Sequence, residues 1–260
     1  MRIAVCLSGQ LRKWHLGAKN QKWFWTTANR DVVEVDFFAH TWNYSWDRAG
    51  VSQEYIERSI DEQEIQDFKN TFQPKGLIVD SIQQNEFRGN DHWSALFYSL
   101  SKSLILKKEY ELEHNFKYDV VVKSRPDLIF SPDDTFACPR MVNNVIHSTH
   151  GGHMPMEFNM FNINDCVFYG NSYTMDLLIN LYFYRQFGIL EDNIQNVKNI
   201  HPLGPGTLMH EFFRDYGIMP KVESLFHEVL LKEGCPEDLD LLEIDDFKIM
   251  QKYFREWYEK

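Results

Sequence analysis

The chain contains no GxGxxG, no GxxxxGK[ST], no HExxH and no CxxC. Those absences exclude a dinucleotide fingerprint, a P-loop, a zincin-type protease and a paired-thiol zinc or redox site. Gly170-Asn171-Ser172-Tyr173-Thr174 lacks the second glycine of a nucleophile elbow. The four cysteines, Cys6, Cys138, Cys166 and Cys235, lie far apart. Cys6 and Cys166 fall inside apolar strand-like runs and are expected to be buried thiols, which fits a reducing compartment. No apolar run reaches membrane-spanning length, and Arg2 is followed by only a short apolar stretch before Ser8. The expectation is a soluble cytoplasmic protein with no signal peptide and no transmembrane segment. Positive charge is also scarce: 27 Lys and Arg against 38 Asp and Glu give a net charge of −11. A general nucleic-acid binder needs basic surface and is disfavoured, whereas a small phosphorylated ligand needs only a few local donors.

What is present is enough for one sizeable core. The 260 residues are 43% hydrophobic and 25% charged, a globular composition. Aromatic content, 15%, is high: most rings are expected to fill the core and some to line a groove. Acidic residues outnumber basic ones in 54–67 and 223–260, read as solvated helix faces.

Ile3-Ala4-Val5-Cys6-Leu7 reads as a buried strand, Ser8-Gly9-Gln10 as a turn, and a helix follows Arg12 and Lys13. A second strand, 35–39, ends at His40-Thr41-Trp42. Residues 53–72 read as an acidic helical region and 77–79 as a third strand. Trp93, Leu96, Phe97, Leu100 and Leu104 form one apolar helical stripe, predicting a helix over about 93–114. Strand and helix thus alternate through the first half, which argues for a three-layer α/β domain. Residues 138–164 read as a long loop region with short strands, 165–170 as a strand and 172–186 as a helix. Thr207 is a plausible N-cap for a helix to Tyr216, with Gly217 as its C-cap, and the tail ends in an aromatic helix at 245–258.

The most telling stretch is Tyr118 to Phe130. Its Val120-Val121-Val122 core reads as a strand buried on both faces, and Arg125-Pro126-Asp127 sits where that strand emerges. Ligands of open α/β sheets bind outside the carboxyl ends of strands. A guanidinium and a carboxylate there point to phosphate and metal chemistry, or to an ion pair that closes a strand. Near the first strand, Gly9 permits close backbone approach and Arg12 adds charge. Parallel pairing places His40-Thr41-Trp42 beside Ser8-Gly9-Gln10, with Trp42 facing a base or sugar, or closing the core. His147, His150 and His153 match no zinc spacing and are assigned to a polar substrate loop.

In order along the chain, Ser-Gly-Gln-x-Arg after a strand, Phe-Phe-Ala-His-Thr-Trp, Tyr-Ser-x-x-Lys on a helix and Tyr-Asp-x-Val-Val-Lys-x-Arg-Pro-Asp together resemble a group of bacterial and viral glycosyltransferases. Asn164 to Gly170 with Met175, and His201-Pro202 before Glu211 and Gly217-Ile218, are similar to later elements of that group. The resemblance covers roughly 1–220. It implies a GT-A-like three-layer sandwich, α/β with a mostly parallel central sheet and helices on both faces. The resemblance implies a single GT-A-like domain over 1–260, with a nucleotide-binding half (1–135), an acceptor half (136–220) and an acidic helical C-terminal extension (221–260). The implied reaction is sugar transfer from a nucleotide-diphosphosugar donor to an unknown glycan, lipid-linked or protein acceptor. By resemblance, Ser8, Gly9, Gln10 and Arg12 hold the nucleotide. His40 and Trp42 lie near base or ribose, and Tyr98, Ser99 and Lys102 face the donor sugar or phosphates. Arg125 and Asp127 occupy the place of Asp-x-Asp, whose carboxylates hold Mg²⁺ or Mn²⁺ against the diphosphate. Here one acid is replaced by a cation, so Asp127 is the remaining metal ligand, Asp133 and Asp134 are spare carboxylates, and a metal-independent transferase is the alternative. Asp165, then Glu211, are the candidates for general base, Asp165 alternatively serving as a strand-end cap. A non-catalytic nucleotide- or sugar-binding module, and a phosphoryl- or sulfuryl-transfer enzyme clamping anions with Arg12 and Arg125, remain the competing readings.

Overall fold

The computed structural model describes residues 1–27, 34–49, 54–81, 92–131, 136, 141–150, 163–186, 205–222 and 228–230. Its first elements are β1 (Arg2–Ser8), α1 (Trp14–Thr26), β2 (Glu34–Trp42), β3 (Tyr44–Ala49), β4 (Glu54–Ser59), α2 (Glu62–Phe72) and β5 (Gly76–Asp80). Then come α3 (His92–His114), β6 (Val120–Ser124), β7 (Leu128–Phe130), β8 (Val145–His150) and β9 (Ile163–Gly170). The remainder comprises α4 (Ser172–Leu177), a 3₁₀ turn (Leu178–Asn180), α5 (Leu181–Gln186), α6 (Pro205–Asp215), β10 (Met219–Val222) and β11 (Glu228–Leu230).

Seven strands form the central sheet in the order β10-β8-β9-β6-β1-β2-β5. The pairs β1–β2, β1–β6, β2–β5 and β8–β10 are parallel, and β9 runs antiparallel to both β6 and β8. The sheet is therefore mostly parallel, in an α/β architecture. Its strands carry apolar side chains toward both faces, as a sheet sandwiched between helices requires. Ile3, Val5, Leu7, Val120 and Val122 pack with Trp14, Phe24, Phe68 and Phe72 of α1 and α2. Ala4, Cys6, Phe38 and Val121 pack on the other face with Phe97, Leu100 and Leu104 of α3, and with Met175, Leu181 and Phe212. Cys6 is buried and Cys166 is half-buried, and neither forms a disulfide among the described residues.

Most expected elements form. Leu96, Phe97, Leu100 and Leu104 of the α3 stripe pack into the core, and Gly217 ends the α6 turn at φ +64, a conformation that glycine adopts at little cost. Three expectations are corrected. The region 53–72 is not helical throughout: Glu54–Ser59 pairs antiparallel with Tyr44–Ala49, so hairpin pairing overrides an acidic, helix-like composition. The helix begins only after Asp61, whose carboxylate accepts from the Glu64 amide. The helix start expected at Thr207 shifts as well: α6 begins at Pro205, two residues earlier, where proline's missing N–H has no helical partner to lose. Finally, His147 belongs to strand β8 rather than a loop, buried with its ring stacked 5.2 Å from that of Tyr169. His153, His201, Asp133, Asp134 and the helix expected at 245–258 lie outside the described residues.

Candidate functional site

The turn Arg125-Pro126-Asp127 follows β6 at the carboxyl edge of the central sheet. Helix α1 holds it from below. Gln21 Nε2 donates to the backbone carbonyls of Arg125 (3.0 Å), Pro126 (2.8 Å) and Leu128 (2.9 Å). Two N–H groups thus serve three carbonyls, one of them bifurcated. One turn of the chain on, Asn20 takes both backbone groups of Phe130, donating to its carbonyl at 2.8 Å and accepting from its amide at 2.8 Å. The helix approaches this closely because position 17 is glycine: a Cβ there would lie 2.3 Å from the Leu128 carbonyl oxygen. β7 pairs antiparallel with β11, and polar side chains of the helix take up further backbone groups of Leu128 and Phe130.

Asp127 is fully buried. Arg125 meets it in a two-pronged pair, Nε to Oδ1 and Nη2 to Oδ2, both 2.8 Å. Arg12, arriving from the β1–α1 loop, adds Nε at 2.8 Å and Nη2 at 2.7 Å to Oδ2. Burial alone would raise the pKa of this carboxyl, but the two guanidinium groups outweigh it and hold the pKa below the ordinary carboxylate value. The loop carrying Arg12 is itself anchored. Arg58 donates to the Leu11 carbonyl at 2.9 Å and pairs with Glu64, which also accepts from Trp14 Nε1 at 3.0 Å. Gly9, at φ +130, turns the loop and donates its amide to the His40 carbonyl at 3.2 Å. Ser8 lies opposite His40 in the parallel register, so the loop and the end of β2 share one edge, as expected.

This arrangement does not fit a divalent ion at Asp127. Both oxygens are committed to guanidinium groups, and a metal would have to displace one of them from a buried position. Among the described residues no group of three or more His, Cys, Asp or Glu side chains is placed to hold a metal. What the donors suit instead is an anion: two of the five N–H groups of Arg125 engage Asp127, and no described residue accepts from the other three.

Lys123, the residue before Ser124, is a further buried cation. Its ammonium donates to the backbone carbonyls of Asp165 and Cys166 on β9, the latter at 3.0 Å. Burial lowers its pKa to about 8. The Asp165 side chain is half-buried at this same edge, next to the Lys123 anchor. Arg12, Lys123 and Arg125 thus gather around Asp127 and Asp165.

Across β1, the edge is lined from β2, β5 and α3. His40 is fully buried, and burial lowers its pKa to about 4. Its Nε2 lies 3.2 Å from Asp80 Oδ2 and its Nδ1 2.8 Å from Ser99 Oγ. A neutral imidazole facing an ionised carboxylate carries its proton on Nε2, so Nδ1 accepts from Ser99. Tyr98 also donates to Asp80 Oδ2, at 2.8 Å. The Ser99–His40–Asp80 series has the residue types of a nucleophilic triad, but Ser99 is fully buried inside α3 and no acyl substrate reaches it. Trp42 is buried too, edge-on to His40 at 4.9 Å and stacked with Tyr98 at 5.6 Å. Its indole thus closes the core beneath the edge instead of facing outward. Lys102 places its ammonium 5.1 Å from the Tyr98 ring centroid.

Of the residues singled out by sequence, Ser8, Gly9, Gln10, Arg12, His40, Trp42, Tyr98, Lys102, Arg125, Asp127 and Asp165 therefore belong to elements that meet at this edge. Glu211 does not join them through any described hydrogen bond. It sits on α6 near Tyr184 and Arg214, with Oε2 buried and unbonded among the described residues. Sequence reasoning missed Gln21, Asn20 and Asp80. Asp80 carried one usable sign, an acid directly after an apolar run at the carboxyl end of a strand.

No family model matches the chain, and no curated protein matches it. A solved structure of a glycosyltransferase involved in the glycosylation of the major capsid of PBCV-1 aligns with a TM-score of 0.44 at 10% identity. The alignment covers 97% of this chain and 100% of that one. A likeness of this degree does not establish a shared family or activity. No helix among the described residues is long and apolar enough to cross a membrane.

Proposed function

We propose that this chain is a GT-A-like glycosyltransferase that grips the diphosphate of a nucleotide-diphosphosugar with arginines at the carboxyl edge of β1 and β6. The observation that carries this reading is the buried Arg12–Asp127–Arg125 set, in which one carboxylate orients two guanidinium groups and leaves Arg125 with donors to spare. Guanidinium forks match phosphate oxygens in pairs, and in a water-poor site their attraction is stronger than in bulk water. In the transfer itself, an acceptor hydroxyl attacks the anomeric carbon, the bond from that carbon to the diphosphate oxygen breaks, and the nucleoside diphosphate leaves. Arg125 and Arg12 stabilise the charge that develops on the departing diphosphate. Asp165, half-buried at the same edge, is the candidate to take the hydroxyl proton. Glu211, on α6, joins none of these groups by a described hydrogen bond and ranks behind it.

The test is calorimetric titration with UDP, GDP, CMP and adenosine 3′,5′-bisphosphate, each in EDTA and in Mn²⁺. A nucleoside diphosphate is expected to bind in EDTA, with affinity falling about tenfold or more in Arg125→Met, the size of a lost charge-assisted hydrogen bond. Binding seen only with Mn²⁺ and unaffected by Arg125→Met would refute the arginine grip. Preference for the bisphosphate would favour sulfuryl transfer. Nucleotide binding with no donor turnover, by hydrolysis or to any acceptor, would favour a binding module.

A further inference from the structure

Asp80 ends β5 on the same sheet edge as the arginine set, yet nothing so far gives it a task. Its Oδ2 is fully engaged, accepting from Tyr98 OH and His40 Nε2. Its Oδ1 bonds to no described residue, and the side chain stays 28% exposed. His40 and Ser99 beneath it are fully buried, so the carboxylate is held from behind in one orientation with its free oxygen outward. An ionised carboxylate only accepts, and one oxygen offers two lone pairs. Its surroundings are those of a sugar: the rings of Tyr98 and Tyr182 meet edge to face at 5.2 Å beside it, and the Lys102 ammonium lies near the Tyr98 ring. A cation would find Asp80 attractive as well, but Lys102 opposes one there, and a lone carboxylate is a poor cation site.

We propose that Oδ1 of Asp80 accepts hydrogen bonds from adjacent hydroxyls of a sugar ring, with Tyr98 and His40 as positioning residues behind it. In the sheet order β6-β1-β2-β5, Asp80 stands three strands from Arg125, about 14 Å at about 4.8 Å per strand. An extended nucleotide-diphosphosugar held by its diphosphate places a sugar ring within that reach. The inference rests on the proposed donor. The hydroxyls belong either to the ribose of the nucleotide or to the sugar being transferred, and the two sources separate by experiment.

The experiment titrates wild type, Asp80→Ala and Asp80→Asn with inorganic pyrophosphate, UDP, 2′-deoxy-UDP and UDP-glucose, and with the guanosine series if GDP binds better. The expected result is that pyrophosphate binds all three proteins alike. If ribose is the source, wild type prefers the ribonucleotide over its 2′-deoxy form by about tenfold, as for a hydrogen bond to a charged group, and Asp80→Ala abolishes the preference. If the transferred sugar is the source, Asp80→Ala instead removes the difference between the nucleotide sugar and the bare nucleotide. Asp80→Asn keeps an acceptor for His40 and Tyr98, guards against a folding defect, and should give an intermediate loss. Nucleotide binding in which neither contrast changes in either variant overturns this inference and leaves the arginine grip standing. Pyrophosphate binding without any nucleotide binding overturns the donor reading and this inference together.

Discussion

Replacing Asp127 with alanine strips the shared counter-charge from two arginines that are almost out of water, with side chains only 11% and 13% exposed. Both guanidinium groups bond the same oxygen at 2.7–2.8 Å, so their bonded nitrogens stand within about 6 Å of each other. Without the carboxylate they repel by about 3 kcal/mol at an effective dielectric constant of about 20. That agrees with the loss of about 3–5 kcal/mol seen when one partner of a buried pair is removed. For a chain of this size, each kcal/mol corresponds to about 2–4 °C, so Tm should fall by about 6–20 °C. The assay is urea unfolding followed by circular dichroism, with and without pyrophosphate. The anion replaces the missing negative charge, so it should restore more stability to Asp127→Ala than it adds to the wild type. A loss below about 1 kcal/mol, or equal pyrophosphate stabilisation of both proteins, would refute the charge argument.

The same substitution carries a pH signature. The folded pKa of Asp127 lies below its unfolded value of about 3.9, because Arg125 and Arg12 outweigh the effect of burial. The stability it confers is therefore fully present above about pH 4 and disappears as pH falls through the lower folded value. Wild-type and Asp127→Ala stabilities should converge in acid and diverge to their full difference at neutral pH.

Gln21→Leu removes two donors from three carbonyls and should cost about 2–4 kcal/mol in urea unfolding, weakening nucleotide binding through a residue that touches no ligand. Lys107→Met removes the buried ammonium that bonds Glu111, Ser172 and Asp176 but leaves Glu111 paired with Lys117, and should destabilise by about 1.5–3 kcal/mol, as for hydrogen bonds to charged groups. Nucleotide affinity measured on the folded variant should not change, since this network joins α3 to α4 and contacts none of the arginines. His40 has a folded pKa of about 4, below its unfolded value of about 6.5, so the unfolded chain binds the extra proton between those values. Stability should decline as pH drops from about 6.5 to about 4 on this account, and nuclear magnetic resonance should show the His40 ring neutral at pH 5.5.

The parts of this structure that sequence reasoning reaches are those dictated by burial. Ile3 to Leu7 and Val120 to Val122 are apolar on both sides because helices cover both faces of their strands, and no amphipathic alternation disguises them. Once both are read as parallel strands, their carboxyl ends must share an edge, which brings Arg12 to Arg125 and Asp127 without knowledge of any contact. The misses share a different cause. Gln21 and Asn20 look like solvated helix positions, and only the docking of α1 on β7, permitted by Gly17, turns them inward. Strand 54–59 exists because 44–49 pairs with it, a tertiary event that its own acidic sequence argues against. The half-buried state of Asp80 depends on α3 delivering Tyr98 and Ser99 to His40, across a sequence gap that local patterns do not bridge.

The charge distribution is compatible with the proposed phosphorylated ligand even though the chain is strongly acidic. A net charge of −11 spread over the surface repels long polyanions, whose binding depends on many exposed cations at once. Arg12, Lys123 and Arg125 act differently. They are nearly buried, where solvent and salt screen them least, and Asp127 orients the two arginines. An anion small enough to reach them gains the attraction of the site, while a duplex meets mainly the acidic exterior. On the proposed reading, arginine at the end of β6, where the resemblance implies a second acid, changes what the edge recruits. Two carboxylates there would need a metal ion between protein and diphosphate. With one carboxylate spent on orienting two arginines, the protein presents the positive charge itself.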